Sequence, residues 1–157
     1  MPFQIQALPM TPFLPLVGAS DAELAARNGR RVVAESDSGY PCRVSLRDAA
    51  AGETLLLVNF EHLPGASPFR ASHAIFVREA AVEASPAPGD IPASIASRLL
   101  SVRGFDAADM LQDADVVEGA ALAERLERMF AAPEIDYIHV HYAKQGCFAA
   151  KVTRTEG

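Results

Sequence analysis

The sequence predicts an α+β fold: a single domain with a largely antiparallel β-sheet, two main helices and a C-terminal β-hairpin. Three observations carry this. Segments with period-two alternation or dense aliphatic content recur along the chain, separated by Pro, Gly, Asn and Asp clusters. Two segments carry helix signals, but strands and helices do not alternate regularly, which argues against a parallel α/β architecture. Finally, residues 135–152 alternate, break at Lys144-Gln145-Gly146 and alternate again, the pattern of a hairpin closed by a glycine that takes positive φ.

Residues 3–8 alternate and read as a short edge strand. Pro9, Pro12 and Pro15 forbid a long element after it and leave room for one helical turn around Phe13 and Leu16. Ser20 with Glu23 three residues on makes a capping box, and Asn28-Gly29 stops the helix. Residues 30–35 follow as a strand through Val32 and Val33. After the turn cluster at 36–41, residues 42–47 alternate with Cys42, Val44 and Leu46 on one side, predicting a strand in which Cys42 is a small buried hydrophobe.

Residues 54–62 are the most hydrophobic run. Apolar residues on both parities predict a central strand covered on both faces, with polar chemistry at its exit in Asn59, Glu61 and His62. A ten-residue loop, 63–72, leads into a second strong strand at 73–79. Residues 84–92 read as a surface loop and 92–98 as a short helix. Residues 99–105 and 110–117 read as two strands joined at Asp106-Ala107-Ala108-Asp109. The segment 119–131 is an amphipathic helix with Leu122, Leu126, Met129 and Phe130 as its apolar stripe, an i,i+4 pair in Glu124 and Arg128, and Pro133 as its stop. In the closing hairpin the expected register sets Ile138 opposite Val152, Val140 opposite Ala150 and Tyr142 opposite Phe148. These form a core face, which leaves Tyr137, His139 and His141 on the other.

A chain of 157 residues fits one domain, 1–157, and buries roughly 68–70% of its unfolded surface without needing a disulfide or metal. The net charge of −6, with the acidic excess mostly after residue 80, argues against nucleic-acid binding. No apolar run is long enough for a membrane span. The first residues lack the basic start and apolar stretch of a signal peptide, so a cytoplasmic location is expected. Cys42 and Cys147 are far apart in sequence with no Cys-x-x-Cys, and thiols are expected in that compartment.

No hydrolase elbow, dinucleotide fingerprint, phosphate loop or His-Glu-x-x-His is present. Chemistry is therefore sought in a looser constellation: Glu61-His62, the loop that follows with Arg70, and Tyr137, His139 and His141. Adjacent residues on a strand point to opposite faces, so Glu61 and His62 each need a partner elsewhere. His139 and His141 share a face about 7 Å apart along the strand and can ligate a metal if Glu61, His62 or His73 supplies a third ligand. The more ordinary reading of a lone His-x-His is two histidines hydrogen-bonded to backbone or to Tyr137, so no resident metal is expected on that signal alone. Arg43, Arg70 and Arg78 suit an anion or a structural ion pair. Cys147 follows the turn glycine and lacks an assured cation beside it, which argues against a nucleophile.

Several blocks of residues carry a resemblance. Gly39-Tyr40-Pro41-Cys42-Arg43-Val44-Ser45-Leu46-Arg47-Asp48, Asn59-Phe60-Glu61-His62, Ser67-Pro68-Phe69-Arg70-Ala71-Ser72, Ile75-Phe76-Val77-Arg78, Tyr137-Ile138-His139-Val140-His141 and Gly146-Cys147-Phe148 resemble, in order, a bacterial family catalogued as domain of unknown function 1203. The resemblance implies a stand-alone bacterial domain and brings no reaction, cofactor or catalytic residue. It implies glycine where this chain has His73, which makes His73 the weakest member of the candidate set.

The favoured expectation is a binding protein or enzyme for a small anionic ligand. Glu61 and His141 would do proton chemistry, and His62, Arg70, His139 and Tyr137 would contact the ligand. The alternatives are a metal site on His139 and His141, and a non-enzymatic interaction or self-associating (homo-oligomeric) module. The motifs leave the cofactor, and whether the protein is an enzyme, open.

Overall fold

The apolar runs pair into two antiparallel sheets, where a single sheet was expected. The computed structural model describes residues 3–155. Its larger sheet holds β1 (Phe3–Gln6), β5 (Leu99–Phe105), β6 (Leu111–Glu118), β7 (Tyr137–Tyr142) and β8 (Phe148–Arg154) in the order β1-β8-β7-β5-β6. The smaller sheet is β2 (Gly29–Val33), β3 (Thr54–Leu63) and β4 (Ala71–Arg78) in that order. The chain's first strand is an edge strand, and it pairs with the last, with Ile5 opposite Val152. Helices α1 (Asp21–Ala25), α2 (Ala93–Ala96) and α3 (Leu122–Phe130) complete the fold. Among the described residues, no helix is long and apolar enough to cross a membrane.

Local signals act as their chemistry requires. Ser20 Oγ accepts from the Glu23 amide at 3.2 Å, and Glu23 Oε1 accepts from the Ser20 amide at 3.1 Å, closing the capping box of α1. Asn28 then takes φ 57° and ends the helix. The proline-rich stretch makes a 3-10 turn, Thr11–Leu16, that buries Phe13 and Leu16. The stripe of α3 (Leu122, Leu126, Met129 and Phe130) is buried against Leu100, Val102, Ile138, Val140 and Val152, one face of the larger sheet. β3 is the central strand of its sheet; Leu56 and Val58 pack under the 3-10 turn and α1, and Leu55 packs into a separate cluster with Ala34 and Ala49.

Two expectations are corrected. Residues 42–47 form no strand: they make a compact loop with bridges only at Pro41–Asp48 and Cys42–Phe76. Cys42, Val44 and Leu46 are buried as expected, but so is Arg43, on the opposite parity. Leu46 turns the chain with φ 54°, a conformation a branched side chain adopts only when its burial and bonds over-determine it. Its amide donates to the Cys42 carbonyl at 3.0 Å. The second correction concerns the hairpin. Ile138–Val152 and Val140–Ala150 pair as expected, but the register shifts between Val140 and His141, and Phe148 lies opposite His141 instead of Tyr142. Ala149 is the extra residue of a β-bulge, and the bulge turns Phe148 onto the histidine face.

Arg43 is the reason the 42–47 loop cannot be extended. Its guanidinium, 2% exposed, donates from Nε to the Phe148 carbonyl at 2.8 Å and from Nη1 to the Pro41 carbonyl at 2.5 Å. Nη2 reaches Cys147 Sγ at 3.1 Å, and the group lies over the Tyr142 ring. The main chain of the same loop bonds to four further segments: the amides of Leu8 and Ala84 donate to it, its Arg43 amide donates to Phe76, and Ser94 Oγ donates to Leu46. Both cysteines are free thiols.

Arg43→Met keeps the volume but leaves buried carbonyls without donors. It should cost about 3 kcal/mol or more by urea unfolding, since each stranded buried acceptor costs roughly 1–3 kcal/mol. A loss below about 1 kcal/mol would show the guanidinium to be dispensable.

Glu53 gives the pH dependence of the smaller sheet's end. Its carboxylate accepts from Arg78 Nε at 2.7 Å and from the Ala50 amide at 2.7 Å, and these bonds hold its pKa down at about 2. A depressed carboxylate adds stability that is whole above its ordinary value of 4.5 and is lost as pH falls from there through about 2. Urea midpoints of wild type and Glu53→Gln should therefore differ most above pH 4.5 and converge towards pH 2.

Candidate functional site

All four histidines of the chain meet where the C-terminal end of β3 and the start of β4 lie against one face of the larger sheet. Two β-bulges aim them. On β3 the register shifts between Phe60 and Leu63, so the extra residue falls at Glu61-His62. His73 stands opposite Phe60 on β4, and facing residues of an antiparallel pair share a face, so His62 and His73 come together. On the other side, the hairpin bulge places Phe148 beside His139 and His141. The His62 ring packs parallel to Phe148, centroids 5.0 Å apart, and nearly parallel to His73, also at 5.0 Å.

One ring nitrogen from each of His62, His73 and His141 lies within 4.8 Å of the other two. His62 Nε2 and His73 Nδ1 are 2.8 Å apart. His141 Nδ1 lies 3.0 Å from the Gly146 carbonyl, a contact that requires Nδ1 to carry the proton and leaves a lone pair on Nε2. A backbone carbonyl behind a histidine is the usual way to fix the tautomer of a metal ligand. His139 completes the group, its ring 5.5 Å from that of His62 and 6.3 Å from that of His141. The Nδ1 atoms of His62 and His139 are both buried without a hydrogen-bond partner among the described residues. Each such atom costs roughly 1–3 kcal/mol unless something satisfies it.

Burial keeps the imidazoles neutral. It lowers His139 and His141 to about 3 and His62 to about 4, and it also lowers His73; the guanidinium of Arg103 pushes each of them further down. Arg103 lies on β5 opposite His139, with Nη1 3.5 Å from His141 Nε2. Beside His62 and His139 opens a cleft of about 220 Å³ whose wall includes Tyr137, Asp109 and Lys151. The Tyr137 hydroxyl donates to Asp109 at 2.6 Å, and burial together with that bond raises its pKa.

The structure thus brings together His62, His139 and His141, with Tyr137 against the His139 ring at 5.0 Å. Glu61 and Arg70 are not with them. Arg70 Nε donates to Glu61 Oε2 at 2.8 Å in an exposed ion pair. Arg78 pairs with Glu53, and Arg43 is consumed by carbonyls and Cys147. Of the two bonds the ordinary reading of the pair allowed, to backbone or to Tyr137, His141 makes the first, to the Gly146 carbonyl, while the Tyr137 hydroxyl is bound to Asp109.

His73, one of three possible third metal ligands on the sequence pattern, is in the cluster; Arg103 and Phe148 complete the site and were not readable as its members. Parity offered a signal for Arg103, because Ser101 and Arg103 alternate with the core residues Leu100 and Val102. Nothing in the sequence shows that β5 pairs with β7. The alternating pattern reads Phe148 as a core residue, because a bulge leaves that pattern unchanged.

Residues 39–154 match the model of a family described as "Protein of unknown function (DUF1203)". No curated protein and no solved structure matches the chain. The matched segment contains every histidine, Arg43, Arg103 and both bulges, and on that match the chain belongs to the DUF1203 family.

Proposed function

We propose that this domain is a metal-dependent protein whose centre is a transition-metal ion held by His62, His73 and His141, with an open coordination position facing a small ligand. The convergence of three ring nitrogens within 4.8 Å carries the reading. A tetrahedral ion with bonds of about 2.0–2.1 Å sets neighbouring nitrogens about 3.4 Å apart, so the site forms if the wider gaps close by about an ångström and the 2.8 Å contact of His62 Nε2 with His73 Nδ1 opens slightly. Neutral imidazoles offer lone pairs, which suit a cation better than an anion. An all-imidazole set suits zinc, copper, iron or nickel and disfavours calcium and magnesium.

Three protein ligands with a free position is the pattern of catalytic rather than structural zinc. His139 stands next to that position with its Nδ1 unpartnered. The expectation of an anionic ligand is kept at this site, with Glu61 and Arg70 replaced as its contacts because they neutralise each other at the surface. The two free thiols fit a reducing, cytoplasmic setting.

Chelator-stripped protein titrated with zinc should take up one ion per chain. At a hundredfold excess over Kd this adds about 2.7 kcal/mol of stability, seen as a rise of several degrees in Tm. His73→Ala and His141→Ala should each weaken binding at least about tenfold. A folded wild type that takes up no zinc, cobalt, nickel or copper overturns the proposal.

A further inference from the structure

We propose that the centre takes its metal together with a small oxyanion, a carboxylate or phosphate group held by the guanidinium of Arg103. This rests on the metal reading above and names what fills the open position.

The argument is one of charge and unused donors. Arg103 is half-buried in the middle of β5 and turned towards the imidazoles, with Ser101 beside it on the same face. Its Nε donates to Ser101 Oγ at 3.2 Å, and Nη2 has no hydrogen-bond partner among the described residues. Other arginines, such as Arg70, Arg78 and Arg98, each pair with a carboxylate, whereas Arg103 pairs with none among the described residues. The nearest acids are engaged elsewhere: Glu61 by Arg70, and Asp109 by the Tyr137 hydroxyl. Lys151, over the Tyr137 ring on the far side of His139, adds no negative charge.

Four neutral imidazoles and one guanidinium make a centre of charge +1, and a divalent ion raises it to +3. Concentrating such charge among buried side chains is costly unless an anion accompanies it. Asp109, the carboxylate in the cleft wall, binds Tyr137, and no carboxylate among the described residues pairs with Arg103 or an imidazole, so at this position the ligand supplies the anion. A guanidinium whose Nη2 is free beside a metal's open position matches a group with two oxygens, one on the ion and one on Nη2. Binding is then coupled both ways: the oxyanion tightens the metal and the metal tightens the oxyanion.

The test titrates cobalt(II) into chelator-stripped wild type, Arg103→Gln and Arg103→Lys. Each is measured in buffer free of oxyanions, then with acetate, then with inorganic phosphate, following cobalt's visible bands. In wild type the preferred anion should raise cobalt affinity by about tenfold. The two arms tell a carboxylate site from a phosphate site. Arg103→Gln should bind cobalt at least as tightly as wild type without anion, because a repelling cation is gone, and gain about twofold or less from either anion. A merely structural arginine would show the opposite, weaker cobalt binding with the anion effect intact. Should the glutamine variant not fold, Arg103→Lys carries the test: it keeps the charge, loses the fork and should lose most of the enhancement. Cobalt binding that neither anion changes in wild type, or full enhancement in a folded variant, overturns the inference and leaves the metal centre standing. A wild type that binds no cobalt overturns the metal centre and this inference with it.

Discussion

The buried guanidinium of Arg43 is the interaction on which the rest of the structure depends. It lies between the two sheets with no carboxylate partner, and its charge is carried by two main-chain carbonyls, a thiol and the face of Tyr142. Burial lowers its pKa, but a guanidinium starts so far above neutrality that it stays charged. A cation in such a place is stable only while every partner keeps its position. One of those partners is the carbonyl of Phe148, on the bulge of the closing hairpin. The same residue that makes the 42–47 loop compact therefore holds the bulge that turns Phe148 towards the histidines.

The histidine cluster follows from this. β7 is the middle strand of its sheet and is buried along its whole length, so both of its faces need cover. Helix α3 covers the Ile138 and Val140 side. The other side, with His139 and His141, is covered by the bulged end of β3 and by β4, which bring His62 and His73. A purely structural interface here would be expected to carry apolar side chains. Imidazoles with unpartnered nitrogens, beside an arginine that lacks an acid, are costly to bury, and cost of that kind concentrates at functional sites.

Two kinds of polar burial are thus separated in one domain. Arg43, Arg78 and Arg154 are each held by several partners: carbonyls, a carboxylate and a thiol meet their donors, and Arg154 alone reaches the carbonyls of Phe130, Ala132 and Ile135. These groups specify the packing. In the histidine cluster, by contrast, the Nδ1 atoms of His62 and His139 are buried without a partner among the described residues, and the remaining contacts are made among the imidazoles and Arg103 themselves.

Most elements were legible from sequence because their signals are local. The capping box at Ser20 and Glu23, the apolar stripe from Leu122 to Phe130, the two-sided apolar run of β3 and the core face at Ile138 and Val140 need only neighbouring residues to be read. The face shared by His139 and His141 was legible for the same reason. What tertiary structure decided was long-range. It split the strands into two sheets, paired β5 with β7 and so brought in Arg103, folded 42–47 into a loop around a buried arginine, and inserted two bulges that re-aimed His62 and Phe148. It also sent Glu61 and Arg70 to each other instead of to the site. A period-two pattern fixes which residues share a face, but an added residue in a ladder, or the identity of a partner strand distant in sequence, leaves that pattern unchanged.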